Sequence, residues 1–350
     1  MKTRRYVIAA AAALVAIFLV WIVWPSGSKQ RPVPAHGTTA FEVNPAAGAD
    51  ASVTTVYAHN LELRKGPQFR IYVRWIRGRM LPEHRGVVPS LDDESSFIFQ
   101  IDRGLIHVNL GDIGNYLSSA AASHSPLKNM KLTGNGQQIR LTGTMHKLLI
   151  PLPVEVLGII TPNPDGRIHV KISKISVLKM PVKGLLKSLN VEVDDIVGKE
   201  PVNGVEVKDN DIYLNTTTLL PPPHIRGQIS TIALKAPDVV VTYGDTAPGD
   251  DQELAQWHNF LRLRGGAVSF GKLVMQDADL TLIDASDDTW FDLDLSNYHD
   301  QLVKGYSRMT PEKGLEMFMP DVGRALPPGS VSLDTLRDKS KPLPKPTVVR

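Results

Sequence analysis

The sequence predicts a mainly β protein: an N-terminal transmembrane helix, then a long antiparallel sheet or sandwich wrapping one or two short helices. Three observations carry this. Apolar side chains alternate with polar ones over many strand-length segments, turn residues punctuate those segments, and one uncharged apolar run opens the chain.

The opening run, Tyr6 to Trp24 (YVIAAAAALVAIFLVWIVW), carries no charge. At about 1.5 Å rise per residue it matches the hydrocarbon core of a bilayer. Lys2, Arg4 and Arg5 precede it. The bias of basic residues toward the cytoplasm therefore puts residues 1–5 inside and the bulk of a single-pass inner-membrane protein in the periplasm or another extracytoplasmic space. Trp21 and Trp24 fall at the outer interface. A cleaved signal peptide shares the basic start and apolar stretch. Against cleavage, the run is longer than a usual signal-peptide core and no small-x-small site follows directly; Val33-Pro-Ala35 fits loosely and lies far downstream. Residues 25–52, rich in Pro, Gly, Ala and small polar residues, read as a flexible linker, and 337–350 as a disordered tail of the same character.

Between these ends lie a β-rich domain at 53–248 and a second β-rich block at 249–336; the sequence leaves open whether they form one domain or two. Phe69, Ile71, Val73 and Trp75 alternate with Arg70, Tyr72 and Arg74, and Ile106, Val108 and Leu110 with His107 and Asn109. Leu148, Ile150, Leu152, Val154 and Val156 make one face of a longer strand. Asn163-Pro-Asp-Gly166 is turn chemistry, so Ile168, Val170 and Ile172 beyond it return as a hairpin partner. Further strands are expected at 211–219, 228–235, 238–243, 268–274, 278–283 and 289–295, and Gly134-Asn-Gly136 is a turn. Three helices are expected: a short amphipathic one after Pro181 with Val182, Leu185, Leu186 and Leu189 at helical spacing, one at 112–122 with Asp112 as cap, and one at 251–263.

The absence of cysteine from all 350 residues excludes disulfides, thiolate catalysis and cysteine metal sites. A net charge of +3 gives no footprint for nucleic acid. No G-x-S-x-G elbow, H-E-x-x-H helix, Walker loop or dinucleotide fingerprint occurs, so no catalytic residue and no cofactor is assigned. The ten histidines are scattered without ligand spacing. Asp277, Asp279, Asp284, Asp287, Asp288, Asp292, Asp294 and Asp300 form an acidic stretch that lacks the glycine and terminal glutamate of an EF-hand. Asp292 and Asp294 alternate with Leu293 and Leu295, which reads as a solvated strand face, and no metal site is assigned.

Two sets of residues are candidates for binding. Leu149, Pro151 and Pro153 make the strand around Leu152 apolar on its second face too, and such a strand wants two apolar neighbours: a core and a ligand groove, or two packed layers. The candidate groove comprises Leu148, Ile150, Leu152 and Val154, then Ile168, Val170 and Ile172, closed by the helix of Leu185, Leu186 and Leu189. Arg70, Arg74, Arg77 and Arg79 crowd one strand with little opposing acid. They either contact anionic lipid near the membrane or form a solvent face paired with carboxylates.

The order IHVNLGDIGNYL, KLTGNGQQIRLTG, LLIPLPVEVLGIITPNPDGRIHVKISKISV, KMPVKGLLKSL and GVEVKDNDIYLN, within residues about 97–243, resembles a bacterial family of exported lipid-binding proteins. That family contains the actinobacterial phospholipid-binding protein needed for mannan elongation. The resemblance implies a TULIP-like domain: a long curved antiparallel sheet that wraps a helix and encloses an apolar groove. The texture GKLVMQDADLTLID after residue 265 is similar to the sheet repeats of AsmA-type envelope proteins. The expected function is then that of a non-catalytic, membrane-anchored protein that binds or shuttles lipid acyl chains in the cell envelope, with membrane lipid as its partner. The alternative is a structural or scaffolding envelope protein that holds other envelope proteins on the same sheets.

Overall fold

A computed structural model of the chain describes residues 53–65, 69–120, 127–147, 150–177, 204–208, 211–219, 222–246, 257–286, 288–324 and 336. The run at 6–24, the linker, the tail, Leu148, Leu149 and the expected helix of Leu185, Leu186 and Leu189 lie outside these residues. Among the described residues no helix is long and apolar enough to cross a membrane.

Three long strands make the centre of the larger sheet: β1 (Thr54–Lys65), β2 (Phe69–Pro82) and β3 (Phe97–Asn109), antiparallel in sequence order. Alternation makes them strands, because every second side chain enters one core: Val56 and Ala58 of β1, Ile71 and Val73 of β2, Phe97, Phe99 and Ile101 of β3. The alternation slips at Asn60, which takes a left-handed φ of 49° opposite Arg74. Past this irregularity Leu61 and Leu63 return to the core, and in β2 so do Ile76 and Met80. Trp75 consequently faces away from that core, beside His59, and does not share the face of Phe69, Ile71 and Val73 as simple alternation predicts.

Each outer edge of this trio is shared by two shorter strands. Along β1, β13 (Phe260–Arg264) pairs antiparallel with one half and β17 (Phe291–Leu293) parallel with the other. Along β3, β10 (His224–Gly227) pairs parallel and β12 (Asp238–Tyr243) antiparallel. Beyond β12 lies β11 (Ile229–Lys235); beyond β13 lie β16 (Asp279–Asp284), β19 (Leu315–Met319) and β18 (Tyr306–Met309), giving eleven strands. The sheet is mixed, since β16 and β19 are also parallel; such neighbours return over crossovers that alternation alone does not reveal.

The second sheet has six strands in the order β4 (Leu127–Asn135), β5 (Gln138–Lys147), β6 (Ile150–Pro162), β7 (Ile168–Val177), β9 (Asp211–Leu214) and β8 (Val205–Lys208), all antiparallel. The expected hairpins form. Gly136 (φ 63°) turns β4 into β5, and Gly166 (φ 84°) closes the β6–β7 turn by donating its N–H to the Asn163 carbonyl at 2.9 Å.

Helix α1 (Leu110–Ala120) leads from β3 into β4. Its cap is Asn109, whose Oδ1 accepts from the N–H groups of Gly111 (2.8 Å) and Asp112 (3.2 Å); the expected cap, Asp112, sits instead in the first turn, where its charge suits the helix dipole. Gly114 lets α1 approach β4, since a β-carbon there would lie 2.9 Å from the Leu132 nitrogen.

Three further expectations are corrected. The strand expected at 211–219 ends at Leu214 and is followed by a one-turn helix, α2 (Thr216–Leu219), at whose start Asn215 Oδ1 accepts from the Thr217 N–H. Phe260 to Leu263 belong to strand β13 and not to a helix. Leu261 and Leu263 alternate with Arg262 and Arg264, and the open edge of β1 completes their hydrogen bonds. The segment 268–274 is a tight hairpin, β14 (Val268–Phe270) and β15 (Leu273–Met275), because Gly271 (φ 59°) turns the chain. On the question the sequence leaves open, strands from both blocks share the larger sheet, since β13 pairs with β1.

Candidate functional site

The six-stranded sheet has one apolar face, and gathers its charged side chains on the other. In cross-strand register, Leu132 lies opposite Leu141, Leu141 opposite Val156 and Val156 opposite Ile175. Ile160 lies opposite Val170 and Val170 opposite Ile212, while Ile168 lies opposite Leu214. Directly paired residues share a face, so this row-by-row match makes one apolar surface across β4 to β9. Gly158 belongs to it, and a β-carbon there would meet Ile172 Cδ1 at 3.3 Å. Its centre is closed to solvent: Leu152 and Ile212 are each 1% exposed, and Val154, Val156, Val170 and Ile172 are buried.

The opposite face is polar. Arg140 Nε donates to Glu155 Oε1 at 2.5 Å, His169 Nε2 lies 2.7 Å from Asp211, and Tyr213 stacks on His169 beneath the Arg167 guanidinium. On β6 itself Pro151, Pro153, Leu157 and Ile159 share this second face, so the strand around Leu152 is apolar on both sides as its alternation predicts, but the adjacent strands set charged residues beside them. Pro151 is exposed, and Leu157 and Ile159 are opposite Lys174 and Lys171. The neighbouring strands, not the prolines of β6, decide the character of that face.

Of the candidate groove residues, Leu152, Val154, Ile168, Val170 and Ile172 are thus brought together on one face. Ile150 begins β6, paired with Lys147. Leu132 and Ile168 also pack against the larger core, and a β-carbon on Gly134 would lie 3.2 Å from Leu234 and Ala236, so β4 abuts the β11–β12 turn. The larger core is itself filled. Its cavity lined by Leu61, Leu63, Val73, Ile76, Phe99 and Ile106 measures ≈ 20 Å³, far below the roughly 300–1,000 Å³ of ligand pockets.

The four arginines of β2 do not form one free patch. Arg70 pairs with Glu62 at 2.9 Å and Arg79 with Asp102 at 2.9 Å, while Arg74 Nη1 donates to Asn60 Oδ1 at 2.7 Å. Arg77 lies in register between Tyr57 and Arg103 on the face that carries Trp75. Burial and the neighbouring Asp292 raise the Glu62 carboxyl, against the lowering pull of Arg70 and Arg64. The acidic stretch is likewise engaged: Asp292 accepts both Nε and Nη2 of Arg64 (2.6 and 2.5 Å), Asp279 pairs with Arg262 at 2.9 Å and Asp300 with Lys304 at 2.7 Å. No group of three or more His, Asp or Glu among the described residues is placed to hold a metal.

A buried polar knot at the β1 irregularity escapes reading by alternation. Asn60, fully buried, donates to Asn259 Oδ1 at 3.1 Å, and Asn259 donates to Asp284 Oδ2 at 3.0 Å and to the Asp288 carbonyl at 2.8 Å. Burial pushes Asp284 up to about 7, despite its bond from Asn259. Asp321 is raised by burial and by its side-chain hydrogen bond with Asp288. The sequence signal for the knot is Asn60 itself, since Leu61 and Leu63 fall out of phase with Val56 and Ala58.

Comparison with family models, with curated proteins and with solved structures finds no match for this chain.

Proposed function

We propose that the protein is a non-catalytic cell-envelope protein, anchored by residues 6–24, whose exported β-rich part binds or shuttles lipid acyl chains. The observation that supports this is the six-stranded sheet with one face apolar in every described strand pair and the other charged. An acyl chain needs a long, unbroken apolar strip with no polar group to desolvate; the rows through Leu152, Val156 and Val170 make such a strip, which is closed to solvent here and would have to open for a chain to enter. The resemblance to exported lipid-binding proteins points to the same class of ligand, and their groove would here be completed by the segment of Leu185, Leu186 and Leu189.

Titration of residues 52–350 with cis-parinaric acid, whose polyene fluoresces in apolar surroundings, tests the reading. Saturable fluorescence that phospholipid displaces is expected; fluorescence no greater than with an unrelated protein rejects acyl-chain binding.

A further inference from the structure

Exposed aliphatic side chains are concentrated at one end of the larger sheet. Nine large hydrophobic residues are exposed among the described residues, and six of them, Val53, Val87, Val88, Leu273, Val274 and Met309, lie at the end where β1 begins. Val53 leads into β1, whose Thr54 and Thr55 pair with Met80 and Arg264. Val87 and Val88 follow the end of β2 there, and their loop is held to β14 by two bonds: Ser269 N–H to the Pro89 carbonyl (2.8 Å) and Leu91 N–H to the Ser269 carbonyl (3.0 Å). Leu273 and Val274 are on β15, directly across from β14. Met309 belongs to the same row through Leu315, Leu280, Leu263 and Val56. Of the other three, Ile159 is on the six-stranded sheet, which α1 joins to the opposite end of β3.

Basic residues flank these aliphatics: Arg85 precedes Val87, and Lys272 precedes Leu273. Three nearby carboxylates are engaged within the protein, while Asp277 past β15 is exposed. Asp92 accepts from the Tyr298 hydroxyl at 2.6 Å and lies 2.9 Å from His299, Asp102 pairs with Arg79, and Glu83 lies 3.3 Å from His224. Exposed aliphatics gathered on one surface, with cations beside them, match the boundary between headgroups and acyl chains of a bilayer.

Read as an anchor, the apolar run at 6–24 would put the bilayer at this end. Residues 25–52 join the apolar run at 6–24 to Val53, and 28 residues of their Pro-, Gly- and Ala-rich composition would span roughly 30 Å on average if they behave as a linker. Such a tether would keep the end near the membrane without forcing contact.

We propose that this end of the larger sheet is a membrane-docking surface, in which Val87, Val88, Leu273 and Val274 enter the headgroup–acyl boundary and Arg85 and Lys272 meet lipid phosphates. The inference rests on the reading of residues 6–24 as an anchor and is independent of lipid carriage by the six-stranded sheet. Docking holds the six-stranded sheet away from the bilayer, facing the rest of the envelope.

The absence of native cysteine allows a direct test in the full chain. Val88→Cys, Val274→Cys and, as the remote control, Ile159→Cys would each be labelled with nitrobenzoxadiazole. The labelled chains would be reconstituted in vesicles of phosphatidylcholine and phosphatidylglycerol in equal parts, with a spin-labelled lipid as quencher. Quenching several-fold stronger at positions 88 and 274 than at 159, with blue-shifted emission, is expected. Quenching at 88 and 274 no stronger than at 159 overturns the docking surface. A chain that fails to float with the vesicles overturns it at the anchor, whereas parinaric acid binding bears only on acyl-chain carriage.

Discussion

Leu152→Glu and Ile159→Glu place the same carboxyl group on opposite faces of β6. Leu152 is 1% exposed, and truncating a leucine so buried costs about 2–5 kcal/mol. The new carboxyl meets no polar partner on the apolar face, which adds about 1–3 kcal/mol for an unsatisfied buried group. The sum, roughly 3–8 kcal/mol, is comparable with the about 5–15 kcal/mol that holds a whole domain together. Ile159 is 38% exposed and directly across from Lys171, so a glutamate there gains a cation and is expected to stay within about 0.5 kcal/mol of wild type. Urea unfolding of both variants, followed by circular dichroism, reads the difference. A large loss of midpoint for Leu152→Glu alone is predicted. Equal losses, or a larger loss for Ile159→Glu, would refute the one-sided sheet.

The polar knot makes two more predictions. Because the folded value of Asp284, about 7, lies above its ordinary 3.8, the fold holds this proton while the unfolded chain releases it. Its contribution is therefore fully present below about pH 4 and is lost as pH rises through 7, by up to about 4 kcal/mol at 1.36 kcal/mol per unit. Asp284→Asn should accordingly gain on wild type in thermal midpoint between pH 4 and 7; a constant difference across that range contradicts the buried proton. Asn60→Ala loses the bonds to Asn259 and Arg74 and also forces a β-carbon residue without Asn's local bonding into the left-handed region, whereas Asn60→Gly loses only the bonds. Alanine should be the more destabilising by about 1 kcal/mol in urea unfolding; glycine being equal or worse would mean that φ at Asn60 carries no strain.

Local pattern revealed the class of the fold and most of its strands, because period-two alternation is written in adjacent residues. The β6–β7 hairpin was legible from Asn163-Pro-Asp-Gly166 and the aliphatics on either side, and β12 from its valines. What alternation cannot carry is pairing between distant segments. The edges of β1 and β3 are each completed by two strands more than a hundred residues away, so β13 reads as a helix continuation until β1 offers it hydrogen bonds. The candidate site was half legible for the same reason. Leu152, Val154, Val170 and Ile172 announce an apolar face, but the polarity of the reverse face is set by Arg140, His169 and Lys171 on neighbouring strands. The proposed docking surface was invisible in sequence, since the loop of Val88 and the strand of Val274 come to one end only through the bonds of Ser269 with Pro89 and Leu91.

The most direct test of the central proposal is mass spectrometry of residues 52–350, exported from cells and purified without detergent, under conditions that preserve bound lipid and again after solvent extraction. Acyl-chain carriage predicts close to one diacyl lipid per chain, released on extraction and recovered on incubation with phospholipid. A folded protein of bare mass that takes up no lipid on incubation would contradict it.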